Sequence, residues 1–167
     1  MGFVIGRADV LNSILKCDEK YSYGPDGIPS VVLKKCVNGI SLPLSILFNK
    51  SLSSGSFPKL WKKSFIITLY KKGGKFDVAN YRPVARLSCI PKIFESMITD
   101  IVAFNVRSVI CLEQHGFVRG RSTTTNFLDF VSYCFEKFNR RAQFDCVFTD
   151  FSKAFDKLSQ GILLKKL

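Results

Sequence analysis

Residues Ser64 to Tyr70 read as a β-strand, Lys71-Lys72-Gly73-Gly74-Lys75 as a glycine turn, and the stretch near Pro83 to Leu87 as a strand returning beside the first. A hairpin of this kind obliges the chain to pair backbone in a sheet, and here it must do so with positive charge at the tip. From Lys59 to Arg86 the cations Lys59, Lys62, Lys63, Lys71, Lys72, Lys75, Arg82 and Arg86 stand against one acid, Asp77. They are interleaved with strand and turn signals and do not line a long amphipathic helix. The pattern therefore favours a nucleic-acid groove over a membrane-surface helix. The whole chain has the same bias, with 25 Lys and Arg against 13 Asp and Glu and a formal charge of +12, which suits a polyanionic partner.

With 167 residues, 47% of them hydrophobic, there is material for one ordinary core. Most of the sixteen phenylalanine rings are expected to be core and not base-stacking platforms. Helical spacing is read over Ala8 to Cys17, from Pro29 to about Val37, and from Leu42 to Leu52 with Gly55 as the stop. Pro91 opens a longer helix with Ile93, Met97, Ile98, Ile101, Val102 and Phe104 on one face. Ser122 is placed to cap another, whose buried stripe is Phe127, Val131, Cys134, Phe135 and Phe138, and a short helix covers Gly161 to Leu167. Asp100, Asn105 and Arg107 interrupt the best membrane-span candidate, and no signal peptide opens the chain, so an intracellular protein, nuclear or cytoplasmic, is expected. The six cysteines have no C-x-x-C spacing and His115 is the single histidine, which argues against zinc and for buried reduced thiols. His115 itself reads as a satisfied loop histidine.

Phe144, Cys146 and Phe148 alternate with Asp145, Val147 and Thr149 in a strand pattern that runs out at Asp150. A carboxylate at a strand end can reach a hard cation such as Mg²⁺, which takes oxygen ligands. Taken alone, Asp150 is as well explained as the cap of the following turn.

The ordered set Gly24-Pro25-Asp26-Gly27-Ile28-Pro29, Trp61 to Lys72, Asn80-Tyr81-Arg82-Pro83-Val84, Gly116-Phe117 with Gly120-Arg121-Ser122, and Asp150 to Asp156 resembles the reverse transcriptase of non-LTR retrotransposons. The wording of 150–156 and 162–167 is most similar to the jockey-type elements of arthropods. The resemblance covers nearly the whole chain. It implies an α+β fold, with helix-rich fingers and a basic β-hairpin over residues 1–142. Residues 143–167 would be the first strand and helix of a polymerase palm, giving an incomplete right-hand polymerase. It also implies RNA-directed DNA polymerisation on an RNA template and DNA primer with deoxynucleoside triphosphates. Asp150 matches the first metal-binding aspartate, a ligand for the Mg²⁺ of two-metal nucleotidyl transfer. Phe155 matches the aromatic that excludes a ribose 2′-hydroxyl, although a core phenylalanine fits the same position. The turn Phe151, Ser152, Lys153, Ala154 would aim backbone N–H groups at the triphosphate. Lys71 or Lys72 and Arg82 match triphosphate-contacting cations, Arg82 best by its fork of donors, the plain alternative being a solvated edge strand. Arg119, Gly120 and Arg121 would lie along the template.

Two departures stand out: Ser159-Gln160-Gly161 where relatives often carry His, and Arg86 where a smaller or apolar residue is common. No Tyr-x-Asp-Asp-like sequence follows Asp150, so the second pair of metal carboxylates, most of the palm, the thumb and the endonuclease fall outside this stretch. By itself the chain is expected to be catalytically incompetent. The alternatives are a non-catalytic basic nucleic-acid-binding remnant and a basic structural domain with no polynucleotide partner, the latter explaining the charge but not the motif order.

Overall fold

A computed structural model describes residues 4–151, 154 and 157–166. The chain divides into two compact units, Met1–Val109 and Ile110–Leu167. The architecture is helix-rich α+β, with one two-stranded antiparallel sheet among the described residues.

In the first unit, helix α1 (Arg7–Lys16) begins where the Asp9 carboxylate accepts the Gly6 N–H at 2.8 Å. Val10 and Ile14, one turn apart, point into the core. Just upstream, Ile5 is held by a two-point clasp. Its N–H donates to Asn49 Oδ1 and its carbonyl accepts from Asn49 Nδ2, both at 2.8 Å. Pro29 proves to be the extended residue before helix α2 (Ser30–Lys35) and not its first helical position. Helix α3 (Val37–Ser54) starts at Val37, well ahead of the expected Leu42, and carries Pro43 inside it. Proline forfeits one intrahelical hydrogen bond. The helix continues because Val37, Ser41, Leu44, Ser45, Phe48 and Ser51 form one buried face whose packing outweighs that loss. Gly55 ends it as expected, in the left-handed conformation at φ 59°.

Phe48, Phe57, Trp61 and Phe94 form an aromatic knot with ring centroids 5.0 to 6.2 Å apart, at the offset and edge-on angles that aromatic quadrupoles prefer. Ile5, Val10, Ile14, Leu33, Val37, Leu44, Ile93 and Met97 complete this core. Trp61 sits on a short 3-10 turn, Lys59–Lys62, directly before strand β1 (Phe65–Tyr70). Strand β2 (Tyr81–Arg86) pairs with β1 from Phe65↔Arg86 to Tyr70↔Tyr81, so the hairpin expected from the sequence is present, closed by the ten-residue loop 71–80 and not by a tight turn.

Helix α4 (Cys89–Val106) follows at once. It buries Pro91, Ile93, Phe94 and Met97, and its later apolar residues Val102 and Phe104 are exposed. The expected apolar face thus holds for the first turns only, because the core ends before the helix does. The turn Gly24-Pro25-Asp26-Gly27 closes with a Gly27 N–H to Gly24 O bond of 3.0 Å and packs against the β2–α4 junction. The Asp26 N–H donates to Ser88 Oγ at 3.2 Å, and a Cβ on Gly24 would lie 2.5 Å from both Ser88 Cα and Ser88 N. Only glycine permits that approach.

The second unit holds helix α5 (Thr123–Asn139) and helix α6 (Gln160–Lys166). Ser122 caps α5 as expected, its Oγ accepting the Thr125 N–H at 3.2 Å while the Ser122 N–H donates to Thr125 Oγ1 at 2.9 Å. The expected buried stripe is corrected. Phe127, Phe135 and Phe138 are exposed, Val131 and Cys134 are partly covered, and no residue of α5 is buried. Residues 142–150 are not a strand, contrary to the alternation reading, because they have no ladder partner among the described residues. Phe144 rests on Tyr133 and Phe138 of α5, and Phe148 rests on Phe130, yet Phe148 is 83% exposed. Of the described phenylalanines only Phe48 and Phe94 are buried, so most of these rings are not core, contrary to the expectation from composition. Among the described residues no helix is long and apolar enough to cross a membrane.

The thiols also differ from expectation, since Cys36, Cys111 and Cys146 are exposed and Cys17, Cys89 and Cys134 only partly covered. Burial beside the core pushes the Cys17 and Cys89 thiols up, and the neighbouring Cys89 adds to the rise at Cys17.

Gly24→Ala should destabilise the first unit by about 2 kcal/mol, an overpacking cost, measured by urea unfolding followed by tryptophan fluorescence of Trp61. Unchanged stability would mean the close approach at Ser88 is absent in solution. Timed iodoacetamide labelling near pH 8, read by mass spectrometry, should modify Cys17 and Cys89 several-fold more slowly than Cys36 and Cys146, because a raised pKa leaves less thiolate. Equal rates would contradict the burial.

Candidate nucleic-acid interface

The pairing register decides which hairpin side chains share a face. Residues opposite each other across an antiparallel ladder lie on the same side, and successive residues alternate. One face therefore carries Phe65 with Arg86, Ile67 with Val84, and Leu69 with Arg82, and the other carries Ile66 with Ala85, Thr68 with Pro83, and Tyr70 with Tyr81. The Lys71 N–H donates to Asn80 O at 2.8 Å, which extends the ladder one step and puts Lys71 on the Arg82 side by alternation. Arg82, Arg86 and Lys71 thus frame an apolar strip of Phe65, Ile67, Leu69 and Val84. Arg86, noted in the sequence only as a departure, belongs to this face. Its even spacing from Arg82 within a strand was the signal for it. Every residue of β1 is exposed, as are Lys71, Lys72, Lys75 and Arg82.

The loop 71–80 is tied down by its own side chains. Tyr70 Oη donates to Gly73 O at 2.5 Å, Asn80 Nδ2 to Gly74 O at 2.9 Å, and Tyr81 Oη to Lys75 O at 2.8 Å. The Asp77 carboxylate, the lone acid of this region, accepts the Ala79 N–H at 2.9 Å. Gly73 has φ +95°, a backbone conformation that favours glycine, and a Cβ there would displace the Asn80 amide, whose Nδ2 would lie 2.7 Å away. Tyr70 and Tyr81 pack edge-on with centroids 5.6 Å apart, and Lys75 Nζ lies 6.0 Å from the Tyr70 centroid. The tyrosines were not singled out from the sequence, since only the register reveals that they face each other.

In the second unit, Arg121 Nη1 donates to the carbonyls of Leu112 and Gln114, the latter at 2.7 Å, and so clips its own loop. Arg119 is exposed, and Gly120 has φ +80°. His115 is buried with both nitrogens satisfied, Nδ1 at 2.8 Å from Thr125 Oγ1 and Nε2 at 3.0 Å from Asp129 Oδ2, as expected of a loop histidine. Asp150 and Phe151 are exposed at the end of the irregular segment 142–151, and Ala154 lies exposed in a turn. Lys153 and Phe155 fall outside the described residues.

A Mg²⁺ ion needs several oxygen ligands. Among the described residues no three His, Cys, Asp or Glu side chains gather as a metal site, and Asp150 offers a single solvated carboxylate. The described residues do not complete a divalent-cation site by themselves.

No protein-family model matches the chain. It is similar over 95% of its length to the probable RNA-directed DNA polymerase from transposon BS of Drosophila melanogaster, at 26% identity. It is similar over 95% of its length to the RNA-directed DNA polymerase from mobile element jockey of the same fly, at 29%. The retrovirus-related Pol polyprotein from type-1 retrotransposable element R1 of Bradysia coprophila is 26% identical over 95% of the chain. The chain spans only 18%, 18% and 16% of the lengths of these relatives. Over nearly all of its own length, the chain is a relative of one segment of the RNA-directed DNA polymerases of non-LTR retrotransposons.

Proposed function

We propose that the chain supplies the fingers, residues 1–142, and the start of the palm, residues 143–167, of a right-hand RNA-directed DNA polymerase that copies a retrotransposon RNA. The observation that carries this reading is the similarity, over 95% of the chain, to the polymerases of several mobile elements. The exposed cationic hairpin supports it independently. Arg82, with Lys71 or Lys72, binds the triphosphate of the incoming deoxynucleotide, since a guanidinium offers paired donors to phosphate oxygens on a face where no acid competes. Arg119, Gly120 and Arg121 line the RNA template opposite the DNA primer. Asp150 is one carboxylate of a Mg²⁺ site that carboxylates beyond this segment complete. Phe151, Lys153 and Ala154 belong to the turn that meets the triphosphate. Phe155, by its place in the Ala-Phe-Asp sequence, discriminates against a ribose 2′-hydroxyl. Its place of action is inside the cell, in nucleus or cytoplasm. A second reading, a basic RNA-binding segment without catalysis, draws on the same hairpin and needs no carboxylate set.

Joining the chain to the part of the jockey polymerase that follows the matched region tests the two against each other. RNA-templated primer extension by this chimera should fall about 10²-fold or more with Asp150→Asn. Arg82→Ala should lower kcat/KM for deoxynucleotide by about tenfold or more, the loss of a charge-assisted phosphate contact. Incorporation that survives Asp150→Asn unchanged would contradict the polymerase reading and leave the binding one.

A further inference from the structure

Phe76 sits at the apex of the hairpin loop with a relative exposure of 105%, as open as in an unfolded peptide, and neighbouring Val78 is 83% exposed. A single exposed ring on a mobile loop calls for no explanation. This loop is different, because the hydrogen bonds of Tyr70, Asp77, Asn80 and Tyr81 and the glycine at 73 fix its course. In that shape the Phe76 ring packs on no part of the loop. Lys75 precedes it in the chain and Lys71 and Lys72 open the same loop, while Asp77 follows it and accepts the Ala79 N–H. An exposed aromatic plane in a loop that carries three lysines against a single acid matches the chemistry of single-stranded nucleic acid. Every base offers a π-face, and phosphates accompany it at each step. An apolar protein partner would find the ring but not a use for three lysines in the same loop.

We propose that Phe76 is a stacking platform for an unpaired base of single-stranded RNA, with Lys75 and its neighbours on the adjoining phosphates. The inference rests on the reading of the hairpin as a nucleic-acid element, and adds to it a base contact separate from the Arg82 face. Stacking is indifferent to base identity, so the site grips a strand without reading its sequence.

The test is fluorescence anisotropy with the full chain and two short labelled probes, an oligouridylate and an abasic ribose-phosphate strand of the same length and charge, at several salt concentrations. Phe76→Ala should weaken oligouridylate binding about tenfold and leave the abasic strand and the salt slope unchanged. Phe76→Tyr should retain affinity. Lys75→Gln should weaken both probes and reduce the slope by about 0.7. Salt-dependent binding that ignores Phe76, or a Phe76→Ala loss equal for both probes, overturns the stacking site while leaving the cationic hairpin standing. Absence of salt-dependent binding by the unsubstituted chain overturns both.

Discussion

The contact between Gly24 and the backbone of Ser88 is the joint on which the first unit turns. A side chain at residue 24 would occupy the space of Ser88 Cα and N, so the Gly-Pro-Asp-Gly turn and the start of α4 fit only with glycine between them. Ser88 Oγ, free of the usual duty of capping its own helix, accepts the Asp26 N–H instead. On the opposite strand, Trp61 anchors the entry to β1 in the aromatic knot with Phe48, Phe57 and Phe94. Both roots of the hairpin are therefore fixed to one core. An isolated two-stranded ribbon is marginal in water, and this one is exposed along β1, so its usefulness depends on being held at its base.

That anchoring separates two tasks along the chain. In the first unit helices α1 to α4 supply most of the buried core and define a frame, while the hairpin carries charge and aromatic surface outward with little burial of its own. Phosphates are met best by cations that stay solvated until contact, since a buried unpaired charge is costly. The hairpin keeps Arg82, Lys71, Lys72 and Lys75 on the surface and lets backbone pairing, tyrosine hydroxyls and Asn80 supply the rigidity. In the second unit the same economy is seen at Arg121, whose guanidinium closes a loop, and at His115, whose two nitrogens tie that loop to α5.

What could be read from residues alone was whatever local chemistry decides. The hairpin strands, the Gly55 stop and the Ser122 cap follow from alternation, φ preference and hydroxyl geometry, and all are present. The start of α3 at Val37 was not legible, because it is the packing of a whole helical face that extends the helix, a tertiary effect that a window of residues does not contain. The stripe on α5 and the alternation at 144–149 were legible as apolar patterns, but a pattern states only that a face prefers cover. Phe127, Phe135 and Phe148 remain exposed. The cations of the candidate site were visible by type, and the even spacing of Arg82 and Arg86 marks one face, whereas the pairing of Tyr70 with Tyr81 required the register. Phe76 was invisible for a simpler reason: one phenylalanine among sixteen looks like core until the loop around it is seen.

If the anchored hairpin is the element that meets nucleic acid, it should be the part of the chain closest to a bound strand. Photocrosslinking of the full chain to RNA containing 4-thiouridine, followed by peptide mapping, measures this directly. The hairpin reading predicts adducts concentrated between Tyr70 and Arg86 that disappear as salt is raised. Adducts that map only to α1, α3 or α6, or that persist at high salt without preference for the hairpin, would contradict it.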